Sequence, residues 1–306
     1  MIYKCRDCGA SFNVKDLSAA IDRKDSFISC KHCGALNRFV IDKVGDVVQA
    51  FVSLSNADFP RAQAQFGRII DRDYLGEEVP HDAFLGLALA NFHVQTIYSD
   101  DERQEDPTLV CHRYNRNYFS DDEMFERAVS IVEEAGDYNE KEKIIKYAEY
   151  IDKVKKTYDD IASIDKTGYM SFVAYEDAPK DNFSEKGYDL AIDICNRLKE
   201  DITFSLGKLK INKECNIFLP DLQERDYKGN DPIAEAKILY AIDHSESMLV
   251  IADNNIDSRL RSIFSRFFER NKYRSSGRID DRIGFICFTR NNDITLPDGR
   301  ISENIF

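Results

Sequence analysis

Met170-Ser171-Phe172-Val173-Ala174-Tyr175 is an almost unbroken apolar run. It is too short for a buried helix, and its lack of alternation predicts a strand covered on both faces. An amphipathic segment follows, from about Ser184 to Leu209. The unit then repeats: Asn216–Leu219 precedes a helix from about Pro232 to His244, Met248–Ala252 precedes one from about Asp257 to Tyr273, and Ile283–Phe288 comes last. Strands buried on both faces, each followed by a helix, specify a doubly wound parallel sheet. Asp231 as N-cap and Pro232 as first residue fix the start of the second helix. The charged stretch Pro220–Asn230 reads as a solvated connector, with a binding loop as the alternative.

In such a sheet the ligand crevice lies at the carboxyl ends of the strands, where the strand order reverses. A four-stranded 2-1-3-4 order puts that point between the first and third strands. Tyr175, Glu176 and Asp177 would flank it from one side and Asp253 and Asn254 from the other, with Asp221 nearby. The strand-end loops contain no G-x-G-x-x-G, and Gly207-Lys208 lacks the remaining residues of a P-loop. Classical dinucleotide dehydrogenases and P-loop NTPases are therefore excluded. His81, His93, His112 and His244 are scattered and form no nucleophile–base pair, so they read as surface or satisfied helical residues. Cys111, Cys195, Cys215 and Cys287 sit in or beside apolar runs and read as small core residues.

Before this region, from about Val44 to Ser163, the periodicity is helical. Ala62, Phe66, Ile69 and Ile70 share one helix face, and Ala83–Tyr98 is apolar nearly all round, as a central bundle helix would be. Ser120-Asp121-Asp122-Glu123 reads as a capping box, with Phe119 and Met124 as its hydrophobic staple. A last helix is predicted over about Asn139–Ala162. Ala57–Tyr98 looks like one tetratricopeptide-style helical pair, without a 34-residue repeat extending through the region.

At the N-terminus stand Cys5-x2-Cys8 and Cys30-x2-Cys33, each pair followed by a glycine, Gly9 or Gly34. Two residues between cysteines let one tight turn aim both sulfurs at one ion, and two such knuckles complete a tetrahedral thiolate site. The pattern predicts a structural Zn2+ ribbon with a short hairpin between the pairs. His32 is a bystander, because four thiolates already close the shell. The domain division that follows is a zinc ribbon over residues 1–43, an all-α helical domain over 44–165 and an α/β domain over 166–306.

The chain of 306 residues carries 42 basic and 55 acidic side chains, a net charge of −13. This argues against sequence-independent binding of nucleic acid or anionic lipid. Residues 1–44 hold eight basic and five acidic groups, so the ribbon is close to neutral once four thiolates share one Zn2+. No apolar run is long enough to cross a membrane, and the first residues lack the apolar core of a signal peptide; the expected compartment is the cytoplasm. Eight cysteines are too few for a disulfide scaffold in a chain of this length.

Ser171-Phe172-Val173-Ala174-Tyr175-Glu176-Asp177 resembles the opening "FISYxxxD" strand of Toll/interleukin-1 receptor (TIR) domains. Glu235–Ile242 with Ser245 and Met248–Ile251 is similar to the helix and strand that follow in that family, and Ile283–Ile286 with Leu296-Pro297 to its late segment. The order of ribbon, helical middle and α/β domain resembles a bacterial TIR architecture. The resemblance implies a flavodoxin-like fold and self-association through the TIR-like domain. It also implies a signalling or antiviral-defence role beside a partner protein of a defence system, and NAD+ as ligand or substrate. Bacterial TIR domains often cleave NAD+ at the nicotinamide–ribose bond, with a glutamate on the helix after the third strand steadying the charge that develops on the ribose.

Here that glutamate position falls on Ile263, or on Phe264 if the match slips by one. Ile256, Leu260, Ile263, Phe264, Phe267 and Phe268 form an apolar stripe, so burial sets the register. Glu176 and Glu235 are the candidate replacement carboxylates of an NAD+ glycohydrolase or cyclase, although a carboxylate on an exposed helix turn or loop is usually only solvated. Arg259 joins the candidate nucleotide-binding residues. The basic run from Arg259 to Arg282 reads as a solvated face, with an anion site or a contact to a neighbouring copy as the functional alternative. TIR domains usually continue past the segment that Leu296-Pro297 resembles into a strand and a last helix, which leaves open whether that closing element is absent here or supplied by a partner.

Overall fold

The computed structural model describes residues 5–10, 12, 14–25, 27–38, 41–72, 79–97, 108–111, 117–164, 168–175, 184–209, 215–220, 231–252, 263, 266–267, 283–287, 293–295 and 301–303. They fall into two units: residues through Lys155, with Asp231 and Pro232, and the remaining residues from Lys156 onward.

In the first unit a helix, α1 (Val14–Asp22), occupies the space between the cysteine pairs where the spacing predicts a hairpin. Leu17 and Ala20, one turn apart, are its buried side. The hairpin instead brackets the second knuckle: β1 (Phe27–Ser29) and β2 (Leu36–Arg38) pair antiparallel, with Ile28 opposite Asn37. Helices α2 (Ile41–Ser55), α3 (Phe59–Ile70) and α4 (His81–Asn91) then pack on one another in sequence. Asp58 caps α3 by accepting the Arg61 backbone N–H at 3.4 Å. Phe51 and Phe66 meet edge to face at 5.0 Å in the core of this bundle. Gly86 of α4 faces the Phe66 ring so closely that a Cβ there would overlap its atoms.

The apolar stretch Ala83–Tyr98 is not one helix. It ends as α4 at Asn91, His93 adopts the left-handed conformation at φ 53° while stacking on Phe59 at 4.6 Å, and β3 (Val94–Ile97) pairs antiparallel with β4 (Thr108–Cys111). Val94, Thr96 and Ile97 are β-branched, which favours the strand over a continued helix. The middle region is thus helical with a β-hairpin rather than all-α. Helix α5 (Glu123–Glu134) is capped one residue before its start by Asp122, whose Oδ1 accepts the Met124 and Phe125 backbone N–H groups at 2.9 and 3.2 Å. Residues 119–121, which hold the staple residue and the start of the predicted capping box, form a 3-10 turn instead. The side chain of Asp152 on α6 (Tyr138–Ile164) accepts the Phe119 and Ser120 backbone N–H groups at 2.6 and 3.2 Å and so withdraws them from a capping box. Phe119 packs against Phe92 and Phe125, with ring separations of 5.1 and 5.2 Å.

In the second unit Met170–Tyr175 lies in β5 (Tyr169–Tyr175), followed by α7 (Ser184–Lys208), β6 (Ile217–Phe218), α8 (Pro232–Asp243), β7 (Ser245–Ala252) and β8 (Ile283–Cys287). The four strands are parallel in the order β6-β5-β7-β8, the expected 2-1-3-4. Alternate residues of β5 enter two cores. Phe172 and Ala174 join Ile238, Ala241 and Ile242 of α8 on one face, and Val173 and Tyr175 join Ala191 and Cys195 of α7 on the other. Both faces are covered, which is why the run shows no polar alternation. Strands β9 (Asp293–Thr295) and β10 (Ile301–Glu303) form a further antiparallel hairpin that the sequence reading does not predict.

Gly86→Ala is expected to destabilise the chain by about 1–3 kcal/mol, because the added Cβ would overlap the fully buried Phe66 ring. Urea unfolding followed by far-UV circular dichroism checks this, and an unchanged midpoint would contradict the close approach of α3 and α4.

Candidate metal centre and sheet crevice

The two knuckles have the same backbone. In each, the N–H of the first cysteine donates to the carbonyl five residues on, Ala10 or Ala35, and the glycine N–H returns to the carbonyl of that cysteine, all at 2.8 Å. Gly9 and Gly34 sit at φ 73° and 77°, a conformation that favours glycine. The turns bring the sulfurs of Cys5, Cys8, Cys30 and Cys33 within 4.8 Å of one another. Cys5 and Cys33 are 3.6 Å apart and Cys8 and Cys30 are 3.7 Å apart. Four thiolates placed tetrahedrally at a metal–sulfur length of about 2.3 Å stand about 3.8 Å from each other. The donor set and its spacing therefore fit a metal ion, and these four cysteines are positioned to bind one. His32 is exposed and lies outside the group.

The thiols of Cys5, Cys8 and Cys33 do not ionise alike. Burial acts to raise the Cys5 thiol, but the backbone amides of Cys8 and Asp7 and the side-chain amide of Asn37 outweigh it and bring it down to about 6. At Cys33 the Ala35 amide acts downward, and the neighbouring Cys8 thiol, burial and the remaining thiols push the group up to about 12. Cys8, drawn down by the Ala10 amide, is carried upward on balance by burial and by the Cys5 and Cys30 thiols. A divalent ion removes this mutual repulsion, which is how a thiolate centre couples binding to proton release.

At the sheet, the strand order places the crevice between β5 and β7, where Tyr175 is the register partner of Ile251. Tyr175 is buried in the core on the α7 side, and its hydroxyl donates to the Pro220 carbonyl at 2.9 Å, toward the end of β6. Its polar atom is thereby committed within the fold. Glu235, expected on an exposed helix turn, has no exposed surface at all; it sits in the first turn of α8 among buried residues. Helix α8 ends just before β7 begins, so Glu235 in its first turn, about 12 Å from that end along the axis, lies toward the carboxyl edge of the sheet. Ile263, where the resemblance would put a glutamate, packs against the core of Phe172, Ile238, Met248 and Phe267. Glu176, Asp177, Asp221, Asp253, Asn254, Arg259 and Phe264 lie outside the described residues.

Sequence reasoning missed an ionic cluster at the amino edge of the sheet. Arg266, placed with the solvated basic run, is buried, and its Nη2 lies 2.5 Å from Asp243 Oδ2 at the end of α8. The Tyr158 hydroxyl donates to the same oxygen at 2.9 Å, and burial followed by the Asp243 charge raises the phenol well above its usual range. An i, i+4 reading from Phe267 and Ile263 could not find this pair, because its partner is 23 residues away. In the first unit His81 Nε2 lies 3.7 Å from Glu140 Oε1 and 3.8 Å from Asp82 Oδ1, with both acids buried. Both separations are too long for hydrogen bonds.

Arg266→Met leaves Asp243 without its cation and is expected to cost about 3–5 kcal/mol of stability. Tyr158→Phe, which removes one hydrogen bond, should cost about 1 kcal/mol. Equal effects in chemical denaturation would contradict the ranking. Titrating the metal-free chain with Zn2+ near neutral pH, in two buffers of different ionisation enthalpy, should show protons released per ion bound, because the raised Cys8 and Cys33 thiols must ionise. A heat independent of buffer would contradict that account. Comparison with protein-family models, with curated proteins and with solved structures finds no match to this chain.

Proposed function

We propose that this chain is a bacterial signalling or antiviral-defence protein in which a zinc ribbon and a helical region accompany a divergent TIR-like domain. The TIR-like domain recognises a nucleotide or a partner protein and self-associates, and it lacks the usual catalytic glutamate. The observation that carries the reading is Ile263. It stands where the resemblance puts the acid, and it packs against the core of a parallel sheet whose 2-1-3-4 order agrees with a TIR-like fold. A carboxylate that steadies a ribose has to face the crevice, and an apolar side chain held in the core supplies no charge there. Zn2+ is the ion that suits four thiolates at these separations, in a closed structural shell with no open position for substrate.

A second reading is favoured by Glu235. A glutamate with no exposed surface is rare outside paired or functional settings, and this one lies toward the ligand edge of the sheet. In that reading Glu235, or Glu176, replaces the missing acid of an NAD+ glycohydrolase or cyclase.

Incubating the full-length protein with NAD+ and following nicotinamide by chromatography separates the two. The first reading expects no release above a protein-free control, at dilute and at concentrated protein. Sustained turnover that Glu235→Gln or Glu176→Ala abolishes would overturn it in favour of the second.

A further inference from the structure

We infer that Asn37 is a positioning residue of the thiolate centre, tying its two halves together and acting on one sulfur, that of Cys5. The inference rests on reading the four cysteines as a metal centre. The two knuckles are near copies in backbone hydrogen bonding, yet the copy breaks seven residues after the first cysteine of each, where Phe12 stands in one and Asn37 in the other. Both side chains are buried, Asn37 to 2% exposure. A buried amide is costly unless its polar atoms are engaged.

Those atoms reach across the centre. Asn37 Oδ1 accepts the Arg6 backbone N–H at 2.8 Å, inside the first knuckle. Its Nδ2 donates to Cys5 Sγ at 3.3 Å and to the Ala35 carbonyl at 3.0 Å, the latter in the knuckle that carries Asn37 itself. One rigid side chain on β2 thus fixes the separation of two turns that are 25 residues apart in sequence at Cys5 and Cys30. An N–H donated to a thiolate draws charge from the sulfur and fixes the direction of its remaining lone pairs. Phe12 has no amide to return to Cys30, so the two buried sulfurs are chemically unequal although their backbones match.

Residues that orient metal ligands in this way typically change affinity by about 10–100-fold when removed. Asn37→Asp keeps the shape and the acceptor for Arg6 and loses the donor to sulfur; Asn37→Ser is a smaller variant that loses the reach altogether. Full-length zinc-loaded protein is mixed with a chromogenic chelator to time metal release, and iodoacetamide labelling followed by mass spectrometry ranks the cysteines. The expected result is that both variants release Zn2+ at least about tenfold faster than the parent, and that labelling of Cys5 gains on that of Cys30. A general loosening of the ribbon would speed both cysteines together and leave their ratio unchanged. Unchanged release with an unchanged Cys5-to-Cys30 ratio, in a parent chain that carries its metal, overturns the role of Asn37. A parent chain with less than half a zinc per molecule after zinc-supplemented expression overturns the metal reading itself.

Discussion

Strand β5 has no solvent face, and the α/β unit depends on that constraint. It lies between β6 and β7, and its successive side chains enter opposite cores. A strand in that position must be apolar where it is fully buried, over Phe172–Tyr175, and needs a helix on each side, which α8 and α7 provide. The same burial governs the functional residues. Tyr175, at the carboxyl end of β5, turns its ring into the α7 core and gives its hydroxyl to Pro220. Ile263 fills the α8 side together with Phe267. The proposal of an acid-free TIR-like domain leans on this packing.

The N-terminal centre obeys a different constraint, electrostatic rather than hydrophobic. Four sulfurs within 4.8 Å cannot all carry charge unless a cation is shared among them. The glycines at φ 73° and 77° permit the turns, and Asn37 links them. Among the described residues between the knuckles, Phe12, Leu17 and Ala20 are buried, and an ion held by the four thiolates would add its binding free energy to that of folding.

Much of this was legible in the sequence where the signal is local. The cysteine spacing with its trailing glycines, the apolar run of β5 and the order of strands and helices after it depend on short-range geometry. What escaped depends on distant partners. Asp152 takes the Phe119 and Ser120 amides and moves the start of α5 past the apparent capping box. The helix α1 lies in a stretch whose length suits a hairpin equally well. The stretch after Asn91 leaves the helix because His93 turns left-handed against Phe59 and a β-branched segment pairs with β4. Glu235 and Arg266 are charged residues on helices, which periodicity assigns to solvent; their burial is visible only once Asp243 and the two cores are in place.

We propose that packing, rather than chance divergence, holds an apolar residue at position 263, where the resemblance puts an acid. Substituting Ile263→Glu and measuring urea unfolding together with nicotinamide release from NAD+ tests it directly. A carboxylate forced against the Phe172, Met248 and Phe267 core should lower stability by about 1–3 kcal/mol and confer no NAD+ cleavage. A variant as stable as the parent that releases nicotinamide would show that the position faces the crevice, and would contradict the account.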